Sequence, residues 1–149
     1  MQLEDAATIL SRADFFQICN AEQRRLLAFA SERRRHPAGA TVYKSGDISD
    51  GAHVLVSGSV TVAAEGEANP KIVQQPGVVI GAMALFVAKP RPVTVKAVDS
   101  VETLFVPRTA FMKLAKQFPD MAARAAQRIQ RDVVGYLGAV DRAGRRIAK

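Results

Sequence analysis

The chain has one cysteine, two histidines and no tryptophan in 149 residues. A single cysteine forms no internal disulfide, so the fold has to rest on a hydrophobic core, and a reducing compartment is expected. Cys19 stands among Phe15, Phe16 and Ile18 and reads as a packed thiol rather than a reactive one. Long apolar runs are also missing: none approaches the roughly 20 residues that cross a bilayer, so no membrane partner is expected. Met1 to Asp14 carries acids and lacks the basic-then-apolar pattern of a secretion signal. The expected location is the cytoplasm.

What is present is an ordinary globular composition, 48% hydrophobic and 23% charged. At this length it suits one domain with one core, and 1–149 is read as a single unit. The formal net charge is +7, unevenly spread. Residues 121–149 hold seven basic residues (Arg124, Arg128, Arg131, Arg142, Arg145, Arg146, Lys149) against Asp132 and Asp141. Such a tail is either a solvated helix face, the preferred reading, or a surface for nucleic acid or an acidic partner.

Along the chain, Leu3, Ala7 and Leu10 have helical spacing. Asn20 followed by Gln23 reads as a helix start, an N-cap amide with a glutamine at the third helical position. That helix runs through Arg24, Leu26, Leu27, Phe29 and Ala30. From Arg33 the period changes. Thr41–Lys44, Ala52–Val56, Ser59–Ala64, Lys71–Gln75, Val93–Val98 and Val101–Val106 are rich in β-branched residues. Turn residues such as Pro37-Ala38-Gly39, Ser45-Gly46-Asp47, Ser57-Gly58 and Pro76-Gly77 separate them. Many short strands with regular turn signals predict an antiparallel sandwich or barrel, here over 33–107, after N-terminal helices over 1–32. Helical spacing returns at Arg108, and Pro119 is suited to open a last helix.

That last helix carries Ile129, Val133, Tyr136, Val140, Ala143 and Ile147, spaced alternately by four and three. The seam suits a homodimer through the C-terminal helix; the other reading is a stripe packed back onto the strands. Gly135, Gly138 and Gly144 weaken this helix by roughly 1 kcal/mol each.

One stretch carries more. Gly81-Ala82-Met83-Ala84-Leu85, a short loop, then Pro90-Arg91-Pro92-Val93-Thr94 resembles the phosphate-binding cassette of cyclic nucleotide-binding domains. Those domains usually read Gly-Glu-x-Ala-Leu, then Pro-Arg-x-Ala-Thr. Phe15-Phe16, His36-Pro37-Ala38-Gly39, Ser45-Gly46-Asp47, Val54 to Val60 and Pro76-Gly77 extend the resemblance over nearly the whole chain. It implies a mainly β fold with flanking helices: an eight-stranded antiparallel β-roll, a short cassette helix and a long C-terminal helix.

The resemblance also implies a ligand, a cyclic nucleotide (cAMP or cGMP), and no metal. Gly81, Ala82, Met83, Ala84, Arg91, Pro92 and Thr94 are the candidate binding residues. In the family the short helix aims backbone N–H groups at the cyclic phosphate, and the arginine matching Arg91 adds a charge-assisted bond. The family glutamate accepts from the ribose 2′-hydroxyl, and Ala82 stands in its place. A hydrogen bond to a charged group contributes about 1.5–3 kcal/mol, so its loss weakens binding by roughly ten- to a hundredfold. Pro92 has no N–H to offer the phosphate, which removes a further ~1 kcal/mol, and Val93 replaces a smaller alanine. A micromolar binder so altered falls to about sub-millimolar affinity. Arg91 itself has two readings: a loop arginine paired with a nearby acid, or a retained anion site.

Enzyme chemistry is not expected. His36 and His53 are seventeen positions apart with no third histidine, which excludes the metal set of β-roll enzymes. Ser57 and Ser59 have no base and orienting group nearby. Three functions remain: a stand-alone regulatory sensor or adaptor with a weak site, a ligand-free dimerisation or protein-interaction module, and a transcription-regulator-like protein without its DNA-binding domain. The catabolite activators place a helix-turn-helix after the long helix, and this sequence ends at Lys149. Nucleic-acid contact is therefore expected only as non-specific attraction of the basic tail.

Overall fold

The computed structural model describes residues 3–130. Helices come first: α1 (Leu3–Arg12), one tight turn over Phe15–Ile18, and α2 (Ala21–Ala30). The predicted start of α2 is realised in full. The Asn20 side chain accepts from the Gln23 N–H at 2.8 Å, and the Gln23 side chain accepts from the Asn20 N–H at 2.8 Å. Two groups that a helix start otherwise leaves unpaired are thereby satisfied.

Eight strands follow: β1 (Glu32–His36), β2 (Thr41–Tyr43), β3 (Gly51–Ser57), β4 (Val60–Ala64), β5 (Lys71–Val73), β6 (Val79–Ile80), β7 (Val93–Ala97) and β8 (Val101–Pro107). They form two antiparallel sheets of four, in the orders β1-β8-β3-β6 and β2-β7-β4-β5. This is the β-roll with flanking helices that the sequence predicts. The strand-by-strand reading missed β1, whose Arg33, Arg34 and Arg35 carry no hydrophobic alternation, and β6, which is two residues long.

The strands β3 and β8 explain the layering. Alternate side chains point to opposite faces. Ala52, Val54, Leu104 and Val106 therefore face the helices and join Leu10, Phe16, Leu27, Phe111 and Met121 in one core. Leu55 and Val101 face the second sheet, where they meet Val60, Val95 and Ala97 in another. Strands covered on both faces read as nearly continuous apolar runs. The two strands also approach closely: a Cβ on Gly51 would stand 2.1 Å from the Val106 carbonyl oxygen, so a side chain has no room there.

After β8 come α3 (Arg108–Gln117) and a further helical segment, α4, over 119–130 within the described residues. Pro119 opens it, where a missing N–H is harmless. Two residues of the basic tail bond back to the fold, Arg124 while exposed to solvent and Arg128 half-buried. Arg124 Nε donates to the Ile18 carbonyl at 2.9 Å, and the Arg128 guanidinium pairs with Asp14. Ile129 packs against the helix-side core. The other five seam residues, Val133 to Ile147, lie outside the described residues, and with them the homodimer seam.

Candidate functional site

The site is built where the turn after β2 meets the segment before β7. Lys44, Ser45, Gly46 and Asp47 form a tight turn closed by the Asp47 N–H on the Lys44 carbonyl at 2.9 Å. Gly46 holds φ at 93°, a conformation that favours glycine at this position of a turn. The turn clamps Arg91 by its backbone: the Gly46 N–H donates to the Arg91 carbonyl at 2.9 Å, and the Arg91 N–H donates to the Asp47 carbonyl at 2.8 Å. Three residues on, the Thr94 hydroxyl accepts from the Ser45 N–H at 2.9 Å. Thr94 thus helps to build the site and spends one hydroxyl lone pair inside the protein.

Across from Arg91, Gly81 sits in the left-handed region, at φ 76°, and turns the chain from β6 into a single helical turn over Ala82–Leu85. The predicted cassette helix is present, as a short 3-10 turn. Ala84 and Leu85 are both completely buried, and Leu85 anchors the turn in the helix-side core. Met83 is partly exposed. Phe86 is not folded into the site; its ring meets Phe15 and Phe111 edge-on in the core, at centroid distances of 6.4 and 5.4 Å.

The Arg91 guanidinium is the chemical centre. Arg91 is only 5% exposed, and among the described residues none of the ion pairs includes it. Its Nη2 reaches the Lys89 carbonyl at a long 3.5 Å, and its Nε has no hydrogen-bond partner. The reading of Arg91 as an exposed loop arginine paired with an acid is therefore set aside. A buried cation with an unpaired N–H is costly unless something negative meets it, and an anion with in-plane oxygens suits a guanidinium best. Ala82, half-buried, packs against the helix-side core, so no carboxylate stands at its position, and Pro92 has no N–H to offer beside Arg91.

Two features escaped the sequence reading. A side chain on Gly81 would touch both the Tyr43 hydroxyl, at 3.5 Å, and Arg91 Nη1, at 3.7 Å. Tyr43, on β2, thus belongs to this site. Burial raises its pKa, partly offset by the Arg91 charge. The second feature is a polar cluster beneath it. His53 Nδ1 and His36 Nε2 lie 3.2 and 3.4 Å from the Thr103 hydroxyl, and the His53 ring lies 6.3 Å from that of Tyr43. Burial pushes the His53 pKa down to about 3, with Arg34 and His36 adding to the effect.

The comparisons with known proteins agree with this geometry. The cyclic nucleotide-binding domain family matches residues 33–118. Over 93 residues, 62% of this chain, the sequence is 36% identical to the cyclic nucleotide-gated potassium channel mll3241 of Mesorhizobium japonicum. Over 69% of the chain it is 29% identical to the cAMP-dependent protein kinase regulatory subunit of Aspergillus niger. The matched parts are 25% of each of those two, so the chain spans about a quarter of the length of these curated relatives. Among solved structures it is similar to a cyclic nucleotide-binding-like protein from Brucella abortus, with 30% identity and a TM-score of 0.65 over 75% of this chain and 98% of that one. The family match spans more than half of the sequence and takes in both Gly81 and Arg91, so this chain belongs to the cyclic nucleotide-binding domain family.

Proposed function

We propose that the chain is a regulatory module, a sensor or adaptor, that takes a cyclic nucleotide weakly and by its phosphate. The observation that carries this is Arg91: buried and, among the described residues, without an acidic partner and with Nε unpaired. Arg91 would hold the phosphate, with the Gly81 turn beside it. Ala82 leaves the ribose hydroxyl without a carboxylate, so affinity falls to about the sub-millimolar range. The relatives named for gating or regulation by cyclic nucleotides support this reading.

The output runs through the helices. Arg108, the first residue of α3, donates to carbonyls at the far end of the cassette turn, so a shift of that turn is felt by α3. A ligand moves such an equilibrium only by binding one arrangement better than the other. The reading takes the chain as one cytoplasmic unit over 1–149, without catalysis, working as a homodimer or on a partner protein through its C-terminal helix. His36 and His53 are already committed to Thr103, which supports a role outside catalysis.

A second reading, a ligand-free interaction module, is favoured by Ala82, Pro92 and Val93. Titration calorimetry with cyclic AMP and cyclic GMP separates the two, run on the native protein beside an Ala82→Glu/Pro92→Ala variant. Weak native binding that tightens at least tenfold in the variant supports the sensor. Binding by the variant alone gives the second reading. Binding by neither removes the cyclic nucleotide from the account.

A further inference from the structure

We propose that Tyr43 is a ligand-binding residue of this site, its phenol hydroxyl donating to the same anionic oxygen that Arg91 holds. The inference rests on the phosphate reading given above and adds a residue to it.

The geometry comes from Gly81. The point over its Cα that a side chain would fill lies 3.5 Å from the Tyr43 hydroxyl and 3.7 Å from Arg91 Nη1. Both are ordinary contact distances for a carbon. Hydrogen bonds to oxygen run at about 2.7–3.0 Å, and a ligand oxygen, which has to stay outside contact distance of the Gly81 Cα, stands further out on the side where both groups lie. Gly81 leaves the space to a ligand, since it has no side chain of its own.

Donor chemistry then fixes the direction. A guanidinium only donates, so Arg91 cannot take the phenol proton. Among the described residues no group hydrogen-bonds to the Tyr43 hydroxyl, which keeps contact with solvent, and burial raises the pKa of a phenol that is already protonated at neutral pH. One cation and one neutral hydroxyl therefore converge on a single spot, and both offer hydrogens. Pro92, next to Arg91, has no N–H to contribute there. A phosphodiester oxygen, with lone pairs enough for two donors, satisfies both groups. A neutral hydroxyl in the same place would leave Arg91 without a counter-charge.

The packing alternative is that Tyr43 merely fills the space between the sheets, where it packs against the second core of Leu55, Val60, Ile80 and Val95. The two accounts differ over one oxygen atom. Cyclic AMP is titrated against the native protein, Tyr43→Phe and Arg91→Ala, with thermal unfolding as the check on folding. The expected result is a Tyr43→Phe affinity about five- to twentyfold below native, and no measurable binding by Arg91→Ala. Unchanged affinity in Tyr43→Phe, with binding still lost in Arg91→Ala, overturns the assignment of Tyr43 and leaves the phosphate reading standing. Equal absence of binding in all three proteins overturns both. Should Tyr43→Phe fail to fold, fluorotyrosine at position 43 carries the test at neutral pH. A more acidic phenol is a stronger donor, so binding tightens if Tyr43 donates to the anion, and unchanged binding overturns the proposal.

Discussion

Arg108 and Ala84 are 24 positions apart in the chain, yet Arg108 Nη1 donates to the Ala84 carbonyl at 3.0 Å. The same nitrogen reaches the Ser49 carbonyl at 2.9 Å and the Val87 carbonyl at 3.5 Å. One guanidinium thus ends the cassette turn, pins the loop before β3 and starts α3. Carbonyls left over at the end of a helical turn need donors, and here a side chain from the next layer supplies them.

Replacing Arg108 with methionine keeps most of the aliphatic stem and removes the donors. Partly buried carbonyls lose a charged partner, and stability should fall by about 2–4 kcal/mol. Urea unfolding measures this directly. A loss under about 0.5 kcal/mol would show that the contact joins the two elements only loosely.

The His36–His53–Thr103 cluster predicts acid sensitivity. His53 is buried with its pKa lowered to about 3, chiefly by burial, and that of His36 is lowered for the same leading reason. A histidine held neutral in the fold binds its proton more readily when unfolded. Its contribution is therefore intact above about pH 6.5 and is lost progressively as the pH falls toward 3. The slope approaches 1.4 kcal/mol per pH unit for one fully shifted group. Urea midpoints between pH 7.5 and 4.5 should fall accordingly, and His53→Phe should flatten the curve. An unflattened curve would place the sensitivity elsewhere.

Cys19 should be silent until the protein opens. Burial pushes its thiol up to about 11, against a smaller opposing influence of Arg24 and Arg124. The thiolate is the reactive species, so a disulfide reagent at pH 8 should label native protein at least a hundredfold more slowly than urea-unfolded protein. Comparable rates would mean that the Phe15–Ile18 turn opens readily.

Two phenylalanines separate core from surface. Phe16 is fully buried and packs edge-on to Phe15 at 5.2 Å, whereas Phe29 is 74% exposed. Phe16→Ala should cost about 3–5 kcal/mol and Phe29→Ala less than about 0.5 kcal/mol, both read from chemical unfolding.

Local signals were legible in the sequence and long-range ones were not. The Asn20–Gln23 capping pair spans three positions, and Gly39, Gly46 and Gly58, marked as turn residues, all take a positive φ. The strand β1 was hidden because its support lies elsewhere. Arg33 and Arg35 are matched by Glu102, and Arg34 lies over the Phe105 ring, all on β8. Tyr43 was hidden for a similar reason. A tyrosine at the end of a strand reads as core, and only the pairing of β2 with β7 and the returning Gly81 turn bring its hydroxyl and Arg91 to the same glycine. The arginine itself was legible from the cassette spacing, but its isolation from every described acid needed the fold.

Whether Arg91 holds an anion is decided by calorimetry of cyclic AMP on native protein and Arg91→Ala at one low salt concentration. The account predicts weak native binding, roughly sub-millimolar, that disappears in the variant while the fold is retained. Equal binding by the two proteins would contradict it.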